Sequence, residues 1–100
     1  MSITTSSGTG GQLVIKIQGR FDFSVHQEFK IAYENPENNS NKFEVDMNGT
    51  TYLDSSALGM LLLLRDYAGG DTSSVSITNC SADIMKILTI SNFEQLFKIS

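Results

Sequence analysis

Apolar and polar residues alternate along several short segments of the chain. This period of two is typical of a strand with one covered face, and it occurs in residues 13–18, 43–47 and 75–78. Gly19-Arg20 is expected to end the first of these strands, and Asn48-Gly49 breaks the pattern of the second. The alternation therefore predicts three strands, each with one polar face.

Residues 1–11 are rich in serine, threonine and glycine. The segment from Ser6 to Gly11 is either a frayed, flexible end or a turn that joins a short first strand, around Ile3, to the next strand. The sequence leaves both alternatives open.

Apolar residues recur every three or four positions between the predicted strands, which is the spacing of a helix with one buried face. The first such helix is expected to begin where Ser24 and Gln27 match a capping box, and Asn35-Pro36 is expected to end it. The polar residues 36–41 then form a surface connection inside the same domain.

The second helix is predicted to follow Ser56 and to be the most buried one, because its apolar stripe is the widest. That stripe consists of Ala57, Leu58, Met60, Leu61, Leu62, Leu64 and Ala68. Gly69-Gly70 supplies a left-handed stop at its end. A third helix begins at about Ser81, a candidate N-cap, and the chain closes with the apolar anchors Phe93, Leu96, Phe97 and Ile99.

Strands that alternate with helices favour βαβ units and a mainly parallel sheet. A parallel sheet covered on both faces would have strands that are apolar throughout. The predicted strands instead carry polar residues at alternate positions, namely Lys16, Gln18, Lys42, Glu44 and Asp46. The sequence therefore predicts an α/β fold with a mainly parallel sheet of four or five strands and with the helices mostly on one face.

Composition narrows the class of protein. With 100 residues, 40% of them hydrophobic, the chain is expected to form one domain over residues 1–100. A formal net charge of -4 opposes sequence-independent binding to nucleic acid or anionic lipid. Cys80 cannot form an internal disulfide, and residues 1–11 lack the pattern of a signal peptide. We therefore expect a cytoplasmic protein. We also expect no direct membrane insertion, because the longest run without a polar side chain, residues 57–64, is far shorter than the ~20 residues needed to cross a bilayer.

Candidate functional residues follow two of the predicted strands. In open α/β sheets, the loops at the carboxyl ends of the strands form the binding site. These loops hold Asp22-Phe23-Ser24 and residues 48–56, and we expect the two segments to be neighbours. The second loop places Asp54, Ser55 and Ser56 at the start of an apolar helix, where unpaired backbone N–H groups favour an anion.

These residues also have purely structural interpretations. Asp54 or Ser55 is expected to cap the helix, while Asp22 is either a turn residue or part of a binding site. Phe23 is either an exposed contact or part of the core.

A hydrolase built from Ser56, His26 and Asp22 is a further alternative, but the Gly-x-Ser-x-Gly elbow is missing. His26 is the single histidine and Cys80 the single cysteine, so no metal site is expected. Gly8-Thr9-Gly10-Gly11 precedes a strand and no helix, so nucleotide binding has no support. We therefore predict neither an enzyme nor a cofactor.

Two segments carry a family resemblance. Residues 53–59, read as Leu-Asp-Ser-Ser-Ala-Leu-Gly, and the upstream Gly19-Arg20-Phe21-Asp22 resemble a STAS domain, especially the small stand-alone anti-sigma factor antagonists. The resemblance covers essentially the whole chain, including the element order β-β-α-β-α-β-α. It implies that Ser56 is phosphorylated by a partner serine-protein kinase, often the anti-sigma factor itself, and that a metal-dependent phosphatase reverses this. The family usually has glycine at the position of Ala57, whose β-carbon is expected to narrow the approach of the kinase.

The resemblance leads to two functional hypotheses. In the leading one, the unphosphorylated chain binds and sequesters an anti-sigma factor or kinase-like regulator, and phosphorylation of Ser56 releases it by adding about -1.5 to -2 charges. In the alternative, the chain is a STAS accessory subunit that docks on a membrane transporter such as a lipid-trafficking ATPase. The expected partner-binding residues are Asp22, Phe23, Ser24, Asp54, Ser55, Ser56, Ala57 and Leu58.

Overall fold

A computed structural model describes residues 2–8, 11–34, 42–72 and 74–100. The connection predicted for residues 36–41 lies outside this part of the chain. The described residues form β1 (Ile3–Ser7), β2 (Leu13–Phe21), α1 (His26–Tyr33), β3 (Lys42–Leu53), α2 (Ser55–Tyr67), β4 (Ser74–Thr78), α3 (Ala82–Ile90) and β5 (Lys98–Ile99). Short 3-10 segments lie at Phe23–Val25, Gly70–Thr72 and Phe93–Gln95.

The strands form one sheet in the order β1-β2-β3-β4-β5. β1 is antiparallel to β2, and the other neighbours are parallel to each other. The predicted α/β fold with a mainly parallel sheet is thus confirmed, as is the short first strand around Ile3. β5 was not predicted, because two residues are too few to show an alternating pattern.

One face of the sheet is buried under the helices and the other face is polar. Ile15, Ile17, Val45 and Ile77 lie on the covered face and have no solvent exposure. Their neighbours on the strands point the other way, where the side chains are at least partly exposed. All three helices contribute residues to the same core, so the prediction that the helices lie mostly on one face is confirmed.

The helix α2 lies at the centre of the core, as its wide apolar stripe predicts. Ala57, Leu61 and Leu64 are completely buried. Beside it, α1 packs through aromatic rings, with the centroids of Phe21 and Phe29 5.1 Å apart. Burial of these side chains holds the helices to the sheet and so fixes the position of the N-terminus of α2.

Two strands extend beyond their predicted ends. β2 continues through Gly19-Arg20 and β3 continues through Asn48-Gly49, so no loop separates residue 48 from residue 54. The glycines bend the strands instead of ending them: the pairing of β2 with β3 shifts register on both sides of this region, and Gly19 has a φ of 78°. The buried Thr50 hydroxyl holds the bend by donating to the Ile17 carbonyl at 3.0 Å.

The predicted helix ends are confirmed at three places and wrong at one. Ser81 caps α3, Asp54 caps α2, and glycines with positive φ follow α2. Ser24, however, does not cap α1, which begins at His26. The Asp22 carboxylate accepts hydrogen bonds from the Ser24 amide and hydroxyl, so a short 3-10 segment forms first.

The packing of α2 can be tested with two leucines on opposite sides of the helix. Leu61 has no exposure and Leu63 is 54% exposed. Leu61→Ala should lower the free energy of unfolding by about 2–5 kcal/mol, because it leaves a cavity in the core. Leu63→Ala should change it by no more than about 0.5 kcal/mol. Urea unfolding followed by circular dichroism measures both, and equal effects would contradict the described orientation of α2.

Candidate functional site

The candidate site lies where β2 and β3 end side by side. Phe21 pairs with Leu53 in the last register position of the two parallel strands. Asp22 and Asp54 follow immediately, so the two aspartates leave neighbouring strand ends. The prediction that these two segments are neighbours is therefore confirmed.

The Asp54 carboxylate organises the start of α2. Its Oδ1 atom accepts a hydrogen bond from the Ser56 hydroxyl at 2.6 Å and one from the Ala57 amide at 3.1 Å. The Ser56 hydroxyl and then the Ala57 amide hold the pKa of Asp54 below its ordinary value, because both bonds favour the charged form. Asp54 is thus the N-cap, and Ser55 is left exposed on the surface.

The same arrangement occurs at the end of β2. Asp22 Oδ1 accepts from the Ser24 amide at 3.0 Å and from the Ser24 hydroxyl at 2.5 Å. Its other oxygen pairs with Arg20 Nε at 3.2 Å. The Ser24 hydroxyl is the main reason that the pKa of Asp22 is lowered. Two Asp-x-Ser turns therefore lie side by side at the ends of β2 and β3, each with a serine hydroxyl donating to an aspartate.

An aromatic side chain projects beside these turns. Phe23 is 67% exposed, so the interpretation of Phe23 as a core residue is wrong. Its ring stacks on the His26 ring, with the centroids 4.8 Å apart and the planes at 13°. An exposed aromatic ring held in place by a neighbour loses little conformational freedom when a partner covers it, which suits a contact residue.

Two of the expected partner-binding residues are less accessible. Ala57 is fully buried, so its methyl group lies in the core and not on the surface. Leu58 is half-buried against the same core. The Ala57 β-carbon, which was expected to narrow the approach of a kinase to Ser56, therefore points into the core.

Gly59 is a residue of this surface that the prediction did not include. It is exposed in the middle of α2, and a β-carbon added there would meet no atom within 4 Å. Glycine costs a helix interior roughly 1 kcal/mol relative to alanine, and nothing in the described chain requires it here. Ser55 lies one turn before it, and the exposed Leu62 and Leu63 lie one turn after it. The signal in the sequence is a glycine inside an apolar helical pattern.

Arg20 and Tyr52 were also not predicted. They pair across β2 and β3, and the Arg20 guanidinium lies 3.9 Å from the centre of the Tyr52 ring. Both side chains are exposed. The pair extends the surface around Asp22 toward the open face of the sheet. A cross-strand cation–π contact of this kind depends on register, which the sequence alone did not define.

The chemistry available at the site is that of a hydroxyl and a carboxylate. Over the described residues, no group of three side chains could hold a metal ion. Ser56 donates to Asp54, while His26 stacks on Phe23. Helices long and apolar enough to span a membrane are absent from the described ranges.

Comparison with known proteins identifies relatives of the whole chain. A family model described as "Mlab, STAS domain" matches residues 4–98. A STAS-domain containing protein of Pseudomonas aeruginosa (strain UCBPP-PA14) is 58% identical over 101 residues, which cover 100% of both chains.

Solved structures share the fold at lower identity. A sulfate transporter family protein from Wolinella succinogenes is similar with a TM-score of 0.78 and 18% identity, over 94% of this chain and 80% of that one. The anti-sigma factor antagonist SpoIIAA in its unphosphorylated form is similar with a TM-score of 0.75 and 15% identity, over 98% and 87% of the two chains. The phosphorylated form of the Bacillus protein is similar with a TM-score of 0.68 at 15% identity, over 98% and 90%. At these identities the likeness concerns the fold.

The hydrogen bond between Ser56 and Asp54 predicts a measurable change in acidity. Ser56→Ala should raise the pKa of Asp54 toward its ordinary value of 3.8, because the donor that stabilises the carboxylate is lost. Carboxyl-carbon NMR titration measures this, with Ser55→Ala as the exposed control that leaves the value unchanged.

The same change has a consequence for stability. The pKa of Asp54 is lower in the folded than in the unfolded protein. Its contribution to the free energy of unfolding is therefore present above the unfolded pKa and is lost as the pH falls through the folded pKa. Acid unfolding of Ser56→Ala should therefore depend less steeply on pH below about pH 4 than that of the wild type. Identical profiles would contradict the proposed origin of the shift.

Proposed function

Because the chain belongs to the STAS domain family, we propose that it is a protein-binding switch controlled by phosphorylation of Ser56. In this proposal the unphosphorylated chain binds and sequesters an anti-sigma factor or kinase-like regulator. A partner serine-protein kinase adds the phosphate and a metal-dependent phosphatase removes it. The fold shared with SpoIIAA, which has been solved in unphosphorylated and phosphorylated forms, supports this reading.

The hydrogen bond of Ser56 to Asp54 is the observation that carries the proposal. A phosphate replaces the hydroxyl proton that Asp54 now accepts and places about -1.5 to -2 charges beside it. Asp54 would lose its donor and gain a like-charged neighbour, with Asp22 close by. The N-terminus of α2 tolerates the anion, so the fold is retained while the charge of the surface changes.

The surface around Ser56 carries exposed apolar side chains, which is typical of a protein contact. The ring of Phe23 projects on one side, and the exposed side of α2 runs from Ser55 through Gly59 to Leu62 and Leu63 on the other. A partner that packs on this apolar strip must desolvate Ser56. Desolvation of a phosphate there would weaken binding by on the order of a hundredfold or more.

A second function is supported by two of the comparisons. The matching family model bears the description "Mlab", and the Wolinella succinogenes structure is that of a sulfate transporter family protein. In this alternative the chain docks on a membrane transporter such as a lipid-trafficking ATPase. Phe23 and the exposed side of α2 around Gly59 would again form the contact, but Ser56 would stay unmodified.

A pull-down with three forms of the protein tests the switch. Wild-type, Ser56→Ala and Ser56→Asp proteins are used to capture partners from lysate of the source cell, and mass spectrometry identifies the bound proteins and any phosphate on Ser56. An anti-sigma factor or kinase-like partner should remain with the wild type and Ser56→Ala. Ser56→Asp should lose it, and the purified pair should then bind at least about a hundredfold more weakly.

Ser81→Asp is the matched control for added charge. Ser81 caps α3, so this variant places the same charge at another helix N-terminus, after a different strand. It should keep the partner. Transporter subunits held equally by all forms, with no phosphate on Ser56, would favour the docking alternative and overturn the switch.

Gly59 provides a separate prediction for either function. Gly59→Ala should raise the free energy of unfolding by up to about 1 kcal/mol, since alanine favours the helix and meets no clash. It should nevertheless weaken the partner complex, because the added methyl group separates the partner from α2. Thermal unfolding and calorimetric titration measure the two effects. A more stable variant that binds normally would show that Gly59 lies outside the interface.

A further inference from the structure

The outer edge of β1 differs from the other edge of the sheet. β5 has two residues, including Lys98, and short charged edge strands resist pairing with other chains. β1 has five residues, Ile3–Ser7, with neither a charged side chain nor a proline. Four of the five are exposed, so the strand's own side chains give none of the usual protection against pairing.

The hydrogen bonds of β1 define which backbone groups face outward. Gln18 donates to the Ser2 carbonyl and Gly8 donates to the Gln12 carbonyl, both at 2.7 Å. Even-numbered residues of β1 therefore direct their backbone groups toward β2, as the antiparallel register requires. The backbone groups of Ile3, Thr5 and Ser7 point to the outer side.

One of these outward groups already has a partner. The Ile3 amide donates to the Glu28 carboxylate of α1 at 3.0 Å. The outward amides and carbonyls of Thr5 and Ser7 have no hydrogen-bond partner among residues 2–8, 11–34, 42–72 and 74–100, so they form a continuous open ladder. An added strand would therefore pair with Thr5 and Ser7 and would not use the Ile3 amide.

An exposed isoleucine lies on the same side of α1 as Glu28. Ile31 is 65% exposed and follows Glu28 by three residues, and the Glu28 carboxylate reaches the edge of β1 at the Ile3 amide. It takes no part in the core. An uncharged ladder with an apolar side chain above it is suited to another uncharged ladder, which a second copy of this chain provides.

We propose that the protein forms a symmetric dimer through antiparallel pairing of β1 with β1 of a second copy. Thr5 of each copy pairs with Ser7 of the other, which makes four backbone hydrogen bonds around a two-fold axis at Ser6. This register leaves the bond between Ile3 and Glu28 intact in both copies. The two Ile31 side chains approach each other above the joined sheet, and the dimer has a continuous ten-stranded sheet.

Sedimentation velocity of the full chain from micromolar to millimolar concentration tests the assembly. The wild type should reach the mass of a dimer as the concentration rises. Thr5→Pro should remain a monomer, because it removes an outward amide that no described residue uses as a donor. A wild type that stays monomeric throughout, or a dimer that Thr5→Pro leaves unchanged, would overturn the proposal and leave the edge to a strand of another protein.

Disulfide trapping tests the register without relying on the proline variant. In a Cys80→Ala background, Ser6→Cys places two thiols at the two-fold axis, where opposed Cα atoms lie about 4.5 Å apart. Thr4→Cys is the matched control on the same exposed face, with its two Cα atoms about 14 Å apart. Ser6→Cys should form a linked dimer at least about tenfold faster than Thr4→Cys. Equal rates would exclude this register and with it the proposed dimer.

Discussion

β2 and β3 run side by side in parallel, and their pairing ends with Phe21 opposite Leu53. Each strand then enters a helical segment through an aspartate that accepts bonds from a serine two residues later. Both turns take their positions from this register together with the packing of the helical segments that follow them. The buried Thr50 bond to Ile17 holds the register at the bend, so a group inside the core determines the geometry at the surface.

The carboxylates of Asp22 and Asp54, at the ends of β2 and β3, are held in their charged form by hydroxyl donors. Asp54 serves α2 as a cap and at the same time holds the hydroxyl of Ser56. A change at Ser56 therefore alters the charge and hydrogen bonding of the cap without removing a core side chain. The neighbouring Ala57 is anchored in the core, which separates the start of α2 into an inner part that maintains the fold and an outer part at the surface.

Much of this arrangement could be predicted from the sequence, for physical reasons that differ between elements. The alternation in β2, β3 and β4 and the stripe of α2 report burial directly, so the sheet, its polar face and the central helix were correct. The predicted ends of β2 and β3 were wrong, because both strands continue through Gly19 and Gly49. A glycine permits a bend as well as an end, and only the pairing with the partner strand determines which of the two occurs. Ser24 was wrongly predicted to cap α1, because its amide and hydroxyl both donate to the Asp22 carboxylate two residues earlier. The Arg20–Tyr52 pair became visible only when the register was known. Gly59 stands out in the sequence as a glycine inside an apolar helix, but its place on the surface required the exposure.

The glycine in α2 has a consequence for attempts to improve the protein. Selection for heat resistance alone favours substitutions that strengthen exposed helices, and Gly59 is an exposed position where an added β-carbon meets no atom within 4 Å. If Gly59 lies in the proposed interface, such a screen would enrich variants that fold better and bind the partner more weakly. Libraries built on this scaffold should therefore keep residue 59 fixed, or be sorted for binding and stability together.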